Sequence, residues 1–261
     1  MSPVAVVTGA ARGIGAATVD RLVADGFAVV AVDACADLSG LDYPLATPAD
    51  LSELARRHGD SVVPLVGDVR DRSAMDAAVA AALERFGGLD AAVAVAGVIA
   101  GGTPLWEMPD EQWSVLFDVN VLGVRNLVSA AVPALLSRPE PRAGRLVAVS
   151  SAAGLVGLRR LAAYSASKHA VIGLMKALAA DLAGTGVTAN AVCPGSTRTP
   201  LLDVSARLYG LDSAEQFGSQ QLVERLLEPE EPAALIAWLC TEASSALTGA
   251  ALAADGGLTT S

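Results

Sequence analysis

The 261-residue chain has little of what would bind a metal or staple a secreted fold. Its three cysteines, Cys35, Cys193 and Cys240, are odd in number, far apart and without a Cys-x-x-Cys pair. They read as reduced, small apolar side chains of a cytoplasmic protein. Two histidines, His58 and His169, are too few and too distant for a metal cluster. Positive charge is scarce: 18 Lys and Arg stand against 28 Asp and Glu, a net charge of −10. That balance disfavours nucleic acid and anionic membrane surfaces as partners. Aromatics make up only 4% of the residues although 52% are hydrophobic, so the core is built from Ala, Val and Leu. Small side chains suit close packing of helices on a sheet. No uncharged apolar run reaches the roughly 18 residues of a membrane span. The start, Met1-Ser2-Pro3-Val4, lacks a basic stretch followed by a long apolar core, so a signal peptide is not expected. No repeat, low-complexity tail or second domain is legible, and residues 1–261 read as a single domain.

What is present centres on Tyr164-Ser165-Ala166-Ser167-Lys168. Spaced i and i+4 on a helix, Tyr164 and Lys168 share one face. A phenol is a poor proton donor or acceptor at neutral pH until its pKa falls from about 10. An ammonium one turn away favours the phenolate. Bringing that pKa to about 7 takes roughly 4 kcal/mol of differential interaction. One lysine is hard pressed to supply this, so a second positive charge is expected nearby. The spacing by itself is also common on surface helices.

The first third supplies a hydride carrier. Pro3 to Thr8 is a short apolar run, β-branched at Val4, Val6 and Val7, followed by Thr8-Gly9-Ala10-Ala11-Arg12-Gly13-Ile14-Gly15 and then a helical pattern that stops at Asp25-Gly26. In a strand–turn–helix unit, Gly9 allows the tight turn, Gly13 lets a pyrophosphate approach and Gly15 lets the helix pack on the strand. The helix N-terminus, starting at Gly13 and Ile14, offers free N–H groups to phosphates. A second apolar strand, Ala28 to Val32, ends in Asp33. A carboxylate there accepts from the adenosine ribose and repels a 2′-phosphate, which selects NAD over NADP. Arg12 is the one nearby residue that would favour NADP. Residues 34–48 then form an aperiodic insertion, read either as a surface excursion or as a cover over the adenosine end. Thr47-Pro48 starts a helix that runs to about His58. A third strand, Val62 to Val66, leads to Asp68-Val69, where a carboxylate can face the adenine amino group. A helix spans about Ser73 to Phe86. A fourth strand, Leu89 to Val95, closes at Ala96-Gly97.

Thr8-Gly-x-x-x-Gly13-x-Gly15, Asp33, Asp68, Gly97, Asn120, Ser151, Tyr164, Lys168 and Pro194-Gly195 together resemble the short-chain dehydrogenase/reductase family in order and spacing. The likeness covers essentially the whole chain. One departure is Ala94-Val95-Ala96-Gly97 where the family has Asn-Asn-Ala-Gly. That loses contacts which brace the central strand and line the adenosine pocket. The insertion with Tyr43-Pro44-Leu45-Ala46-Thr47-Pro48, the run Val95 to Gly102, and Pro194-Gly195-Ser196-Thr197-Arg198-Thr199 look like the actinobacterial branch associated with mycofactocin. That likeness implies a non-exchanging NAD and mycofactocin as external electron acceptor.

The resemblance implies a Rossmann-type α/β fold. A doubly wound parallel sheet of seven strands carries helices on both faces. It implies an oxidoreductase that interconverts a small, uncharged alcohol and its ketone or aldehyde, assembled as a homotetramer through two long helices. Asn120, within a helical stretch from Asp110 to Leu136, would hold a water linking Lys168 to solvent. Ser151 lies thirteen residues before Tyr164 at the end of the Arg145–Val149 strand, and would position the substrate oxygen. The helix bearing Tyr164 and Lys168 is expected over Ala162 to Ala183. The strand Val187 to Cys193 ends at Pro194-Gly195, after which Thr197 and Thr199 can bond the nicotinamide carboxamide. Residues 199–227 would form a mobile lid, poor in charge and therefore suited to an apolar substrate. A helix from Pro229 to Thr241 and a strand from Ala250 to Ala254 complete the chain. The competing readings are an NADP-dependent ketoreductase and a catalytically silent nucleotide-binding relative.

Overall fold

Seven short runs of Val and Ala form the strands, and their alternation decides what lies on each side. The computed structural model describes residues 2–260. In chain order these are β1 (Val4–Thr8), α1 (Gly13–Ala24), β2 (Ala28–Asp33), α2 (Pro48–His58), β3 (Val62–Val66), α3 (Arg72–Phe86) and β4 (Ala91–Ala94). There follow α4 (Asp110–Phe117), α5 (Gly123–Leu136), β5 (Arg145–Val149), α6 (Ala162–Asp181), β6 (Thr188–Pro194), α7 (Pro200–Tyr209), α8 (Glu230–Leu239) and β7 (Ala251–Ala254). The strands form one sheet in the order β3-β2-β1-β4-β5-β6-β7, and every pairing is parallel. The expected doubly wound architecture is therefore present.

Successive residues of a strand point to opposite faces. Val4, Val6, Val30, Ala92, Leu146 and Ala189 enter one core, with α3, α5 and α6. Ala5, Val7, Val29, Val93, Val147 and Val192 enter the other, with α1, α2 and α8. A strand buried on both faces needs apolar residues throughout, as in sheets of this kind. The chain crosses from one side to the other between β1 and β4. That reversal opens a crevice at the carboxyl ends of the strands.

Three expected elements differ in detail. The fourth strand is shorter than Leu89–Val95, because pairing with β1 and β5 ends at Ala94. The Asp110–Leu136 helix is continuous but contains a π segment, Asp118–Leu122, centred on Asn120. Such π bulges recur at functional sites. This helical stretch has the length and apolar composition of a membrane span, yet about half of its apolar part is buried inside the fold. It packs beside α3 and α6, as a core helix does. The 199–227 stretch is ordered into α7 and a 3-10 turn at Ala214–Gln220, around a small core of Ala206, Phe217 and Leu226. The start of α2 matches its sequence signal closely. Thr47 and Asp50 form a reciprocal capping box with Pro48 in the first turn.

Candidate active site

The glycine turn after β1 is set by contact distances. A Cβ on Gly15 would lie 1.9 Å from the Gly9 carbonyl oxygen, and one on Gly9 would lie 2.6 Å from the Ala96 Cα. Both positions therefore exclude any other residue, and Gly9 also has φ +65°. At Gly13, φ +56°, an added Cβ would lie 3.2 Å from the Thr199 methyl, so the turn and the segment after β6 come close there. Asp33, at the end of β2, accepts from the Ala11 N–H at 3.1 Å and from the Cys35 N–H at 3.1 Å. Its carboxylate is thus held against the glycine turn. The Arg12 guanidinium donates to the Pro44 carbonyl at 3.2 Å.

These residues line one cleft of about 480 Å3 across the strand ends. Gly9, Arg12, Gly13, Ile14, Gly15, Asp33, Asp68, Val69, Ala96, Gly97, Pro194, Gly195, Thr197 and Thr199 all face it, together with Ser151, Tyr164 and Lys168. Asn120 does not. It is fully buried behind the wall, where its Oδ1 accepts from Val98 N–H at 2.9 Å. Its Nδ2 donates to the Val98 carbonyl at 3.0 Å and to Ser167 Oγ at 3.0 Å. Both of its donors are therefore committed. The Asp68 carboxylate binds Arg70 at 2.7 Å, and Asp71 caps α3 by accepting from Ser73 N–H at 2.8 Å.

Tyr164 and Lys168 lie on α6 with side chains toward the cleft, and both are buried. Lys168 Nζ sits 5.8 Å from the Tyr164 ring centre and donates to the Val149 carbonyl at 3.1 Å. A Cβ at position 97 would come within 3.1 Å of that ammonium and crowd it. Burial pushes the Tyr164 phenol above its ordinary pKa, and a hydrogen bond with Ser151 opposes the rise. Burial also lowers Lys168 to about 8, partly offset by the Cys193 thiol. The expectation that Lys168 draws the phenol down is thus not met by the protein's own charges. Both groups are desolvated, and desolvation penalises each charged form. Ser151 Oγ accepts from Ala153 N–H at 3.1 Å, while Ser150 Oγ is spent on the Lys168 carbonyl at 2.8 Å.

Several cleft residues carried no motif. Leu38, Leu45 and Ala46 come from the insertion, and Leu158, Leu161, Tyr209, Leu211, Phe217 and Leu258 form an apolar wall around the Tyr164 end. The insertion is fastened by Tyr43, whose buried hydroxyl donates to the Ile99 carbonyl and accepts from the Ile99 N–H, each at 3.0 Å. Among the described residues, no group of three or more His, Cys, Asp or Glu is placed to hold a metal.

Comparisons agree with this geometry. A family model described as Enoyl-(acyl carrier protein) reductase, adh_short_C2, matches residues 9–259. The chain belongs to the short-chain dehydrogenase/reductase family of oxidoreductases. It is 38% identical to an uncharacterized oxidoreductase of Mycobacterium tuberculosis, over 97% of this chain and 95% of that one. It is 36% identical to an uncharacterized NAD-dependent oxidoreductase of the same species, over 97% and 94%. The crystal structure of carveol dehydrogenase from Mycobacterium avium in complex with NAD superposes with a TM-score of 0.93 at 33% identity, over 99% of this chain and 98% of that one.

Proposed function

We propose that the chain is an NAD-linked dehydrogenase that interconverts an apolar alcohol and its ketone or aldehyde, with Tyr164 moving the proton. One observation carries this reading: Tyr164, Ser151 and Lys168 open into the same cleft as the glycine turn and Asp33. The cleft suits NAD on its own geometry. The glycine turn, closed by backbone contacts that leave no room for a Cβ at Gly9 or Gly15, lines the cleft, and the Asp33 carboxylate stands where a ribose hydroxyl would donate and a 2′-phosphate would be repelled. Arg12 donates one N–H to the Pro44 carbonyl and keeps its charge, so it is the residue that would favour NADP. Thr197 and Thr199, whose hydroxyls donate to neighbouring carbonyls, keep lone pairs for a carboxamide. Asp68 and Val69 border the adenine end.

Bound NAD would supply the hydride acceptor and, when oxidised, the second positive charge that the phenol requires. Within the protein, Ser151 donates to the substrate oxygen and Tyr164, as phenolate, accepts its proton. Lys168 would hold the ribose hydroxyls of the bound cofactor, with its ammonium 5.8 Å from the Tyr164 ring centre. Asn120 serves a proton exit only through the second lone pair of Oδ1 or its backbone carbonyl, because its N–H groups are occupied. The wall around Tyr164 carries no charged side chain among Leu158, Leu161, Leu201, Leu202, Tyr209, Leu211, Phe217 and Leu258, which favours a small uncharged substrate. The NAD-bound carveol dehydrogenase supports the same class.

The insertion, pinned by Tyr43 and lining the cleft, supports a cofactor that does not exchange; mycofactocin as the external acceptor rests on the resemblance alone. Exposed Trp113 and Leu122 on the Asp110–Leu136 helix support a homotetramer. Protein purified without added nucleotide is expected to retain NAD through dialysis and to turn over only with an artificial acceptor. Ready loss of NAD and turnover with free NAD would sink the non-exchange reading. Tyr164→Phe is expected to abolish turnover while bound NAD stays at native occupancy, measured by release on denaturation. An active Phe variant would overturn the mechanism.

A further inference from the structure

The segment after α7 meets the turn after β6 through exposed Arg198 pairs with Glu215 and Glu228 and through one buried side chain, Gln221. It is 1% exposed. Its Oε1 accepts from the Ser196 N–H at 2.9 Å, and its Nε2 donates to the Ser196 carbonyl at 3.3 Å and the Arg225 carbonyl at 2.5 Å. The amide thus pairs with both polar groups of one residue, as a neighbouring strand would. Around it the backbone does the same. Leu227 N–H donates to the Ser196 carbonyl at 3.0 Å, Arg198 N–H donates to the Leu227 carbonyl at 2.8 Å, and Thr197 bridges Leu227 in parallel. The fit leaves no spare room. A Cβ on Gly195 would lie 2.3 Å from the Gln221 Oε1 and 2.6 Å from the Asp255 carbonyl oxygen. Gly195 is therefore required by the approach of this amide and of the Asp255 backbone together, not by its backbone angles.

Gly195, Ser196, Thr197 and Thr199 face the cleft directly, and Gln221 does not. We infer that Gln221 is a positioning residue: it sets the Gly195–Thr199 turn against the nicotinamide half of the cofactor and couples that turn to the substrate-covering segment. This rests on the function proposed above. Only a neutral amide supplies both the acceptor and the donors. A carboxylate cannot donate to two carbonyls, and a leucine leaves buried N–H and C=O groups partly unpaired.

The test compares native protein with Gln221→Leu and Gln221→Glu. For Gln221→Leu, kcat is expected to fall about 10- to 100-fold, the range that misplacement of reacting groups produces. KM for the alcohol is expected to stay within a few-fold. The emission of bound NADH should shift toward that of free NADH, and amide exchange of the 194–199 peptide should speed up while that of β1 and β5 stays slow. Native kcat with unchanged NADH emission would overturn the inference. Should the leucine variant not fold, Gln221→Glu decides. Its kcat relative to native should rise as pH falls and the carboxyl regains a proton to donate, whereas a ratio independent of pH counts against the coupling. Native protein without oxidoreductase activity would refute the functional reading instead.

Discussion

Lys168 stands in a costly place. Its ammonium is buried, and the burial holds its pKa near 8, well below the ordinary value of about 10.4. The charged form is therefore disfavoured by folding. Below pH 8 the lysine is protonated in both states and the fold bears the full cost. Between pH 8 and about 10.4 the unfolded chain holds the proton more tightly, so this group's contribution to stability rises with pH there. Lys168→Met removes the cost and orphans only the Val149 carbonyl. It is expected to stabilise the protein by about 1–3 kcal/mol at pH 7, less above pH 10, while abolishing turnover. Denaturant melts at the two pH values, in one cofactor state, check this; a variant less stable than native at pH 7 contradicts it. The Tyr164–Lys168 spacing was legible in the sequence, but the sign of the phenol's pKa was not. Spacing places two side chains on one face, and only depth of burial says which charge survives.

At the scale of elements, signals written locally were readable and those written across the chain were not. Thr47-Pro48 announced α2 because a cap and its partner lie within four residues. The π segment at Asn120 was hidden, since it answers to Val98, a contact 22 residues away in sequence. The 34–48 insertion carries no periodicity, and its order comes from distant partners: Tyr43 on Ile99, Arg12 on Pro44, and Ser39 on Glu111. Tyr43 stays protonated at any physiological pH, because burial pushes it up to about 12. Tyr43→Phe keeps the ring and removes the two hydrogen bonds, a loss of about 1–2 kcal/mol. Release of NAD is expected to quicken about 5- to 30-fold, followed as nucleotide escaping from the protein over time. An unchanged release rate would show that the insertion does not gate the cofactor.

For the molecule as a whole, the fold was legible because its rules are periodic. Alternating Val and Ala runs, glycine-rich turns and helical patterns in strict succession admit few topologies. The apolar substrate wall was legible only in part: Tyr209 and Phe217 fall in the charge-poor 199–227 stretch, whereas Leu158 and Leu258 come from two other places and share no spacing with it. The division of each strand between two cores has a further consequence. The phosphate turn, through Ala10, Ala11 and Ile14, is rooted on one side of the sheet. Tyr164, Leu161, Leu201 and Tyr209 are rooted on the other. The sheet works as a bulkhead, so a change of volume in the substrate compartment is absorbed on its own side. Such a chain can trade one alcohol for another by reshaping a single compartment, and keep its coenzyme unaltered through the exchange.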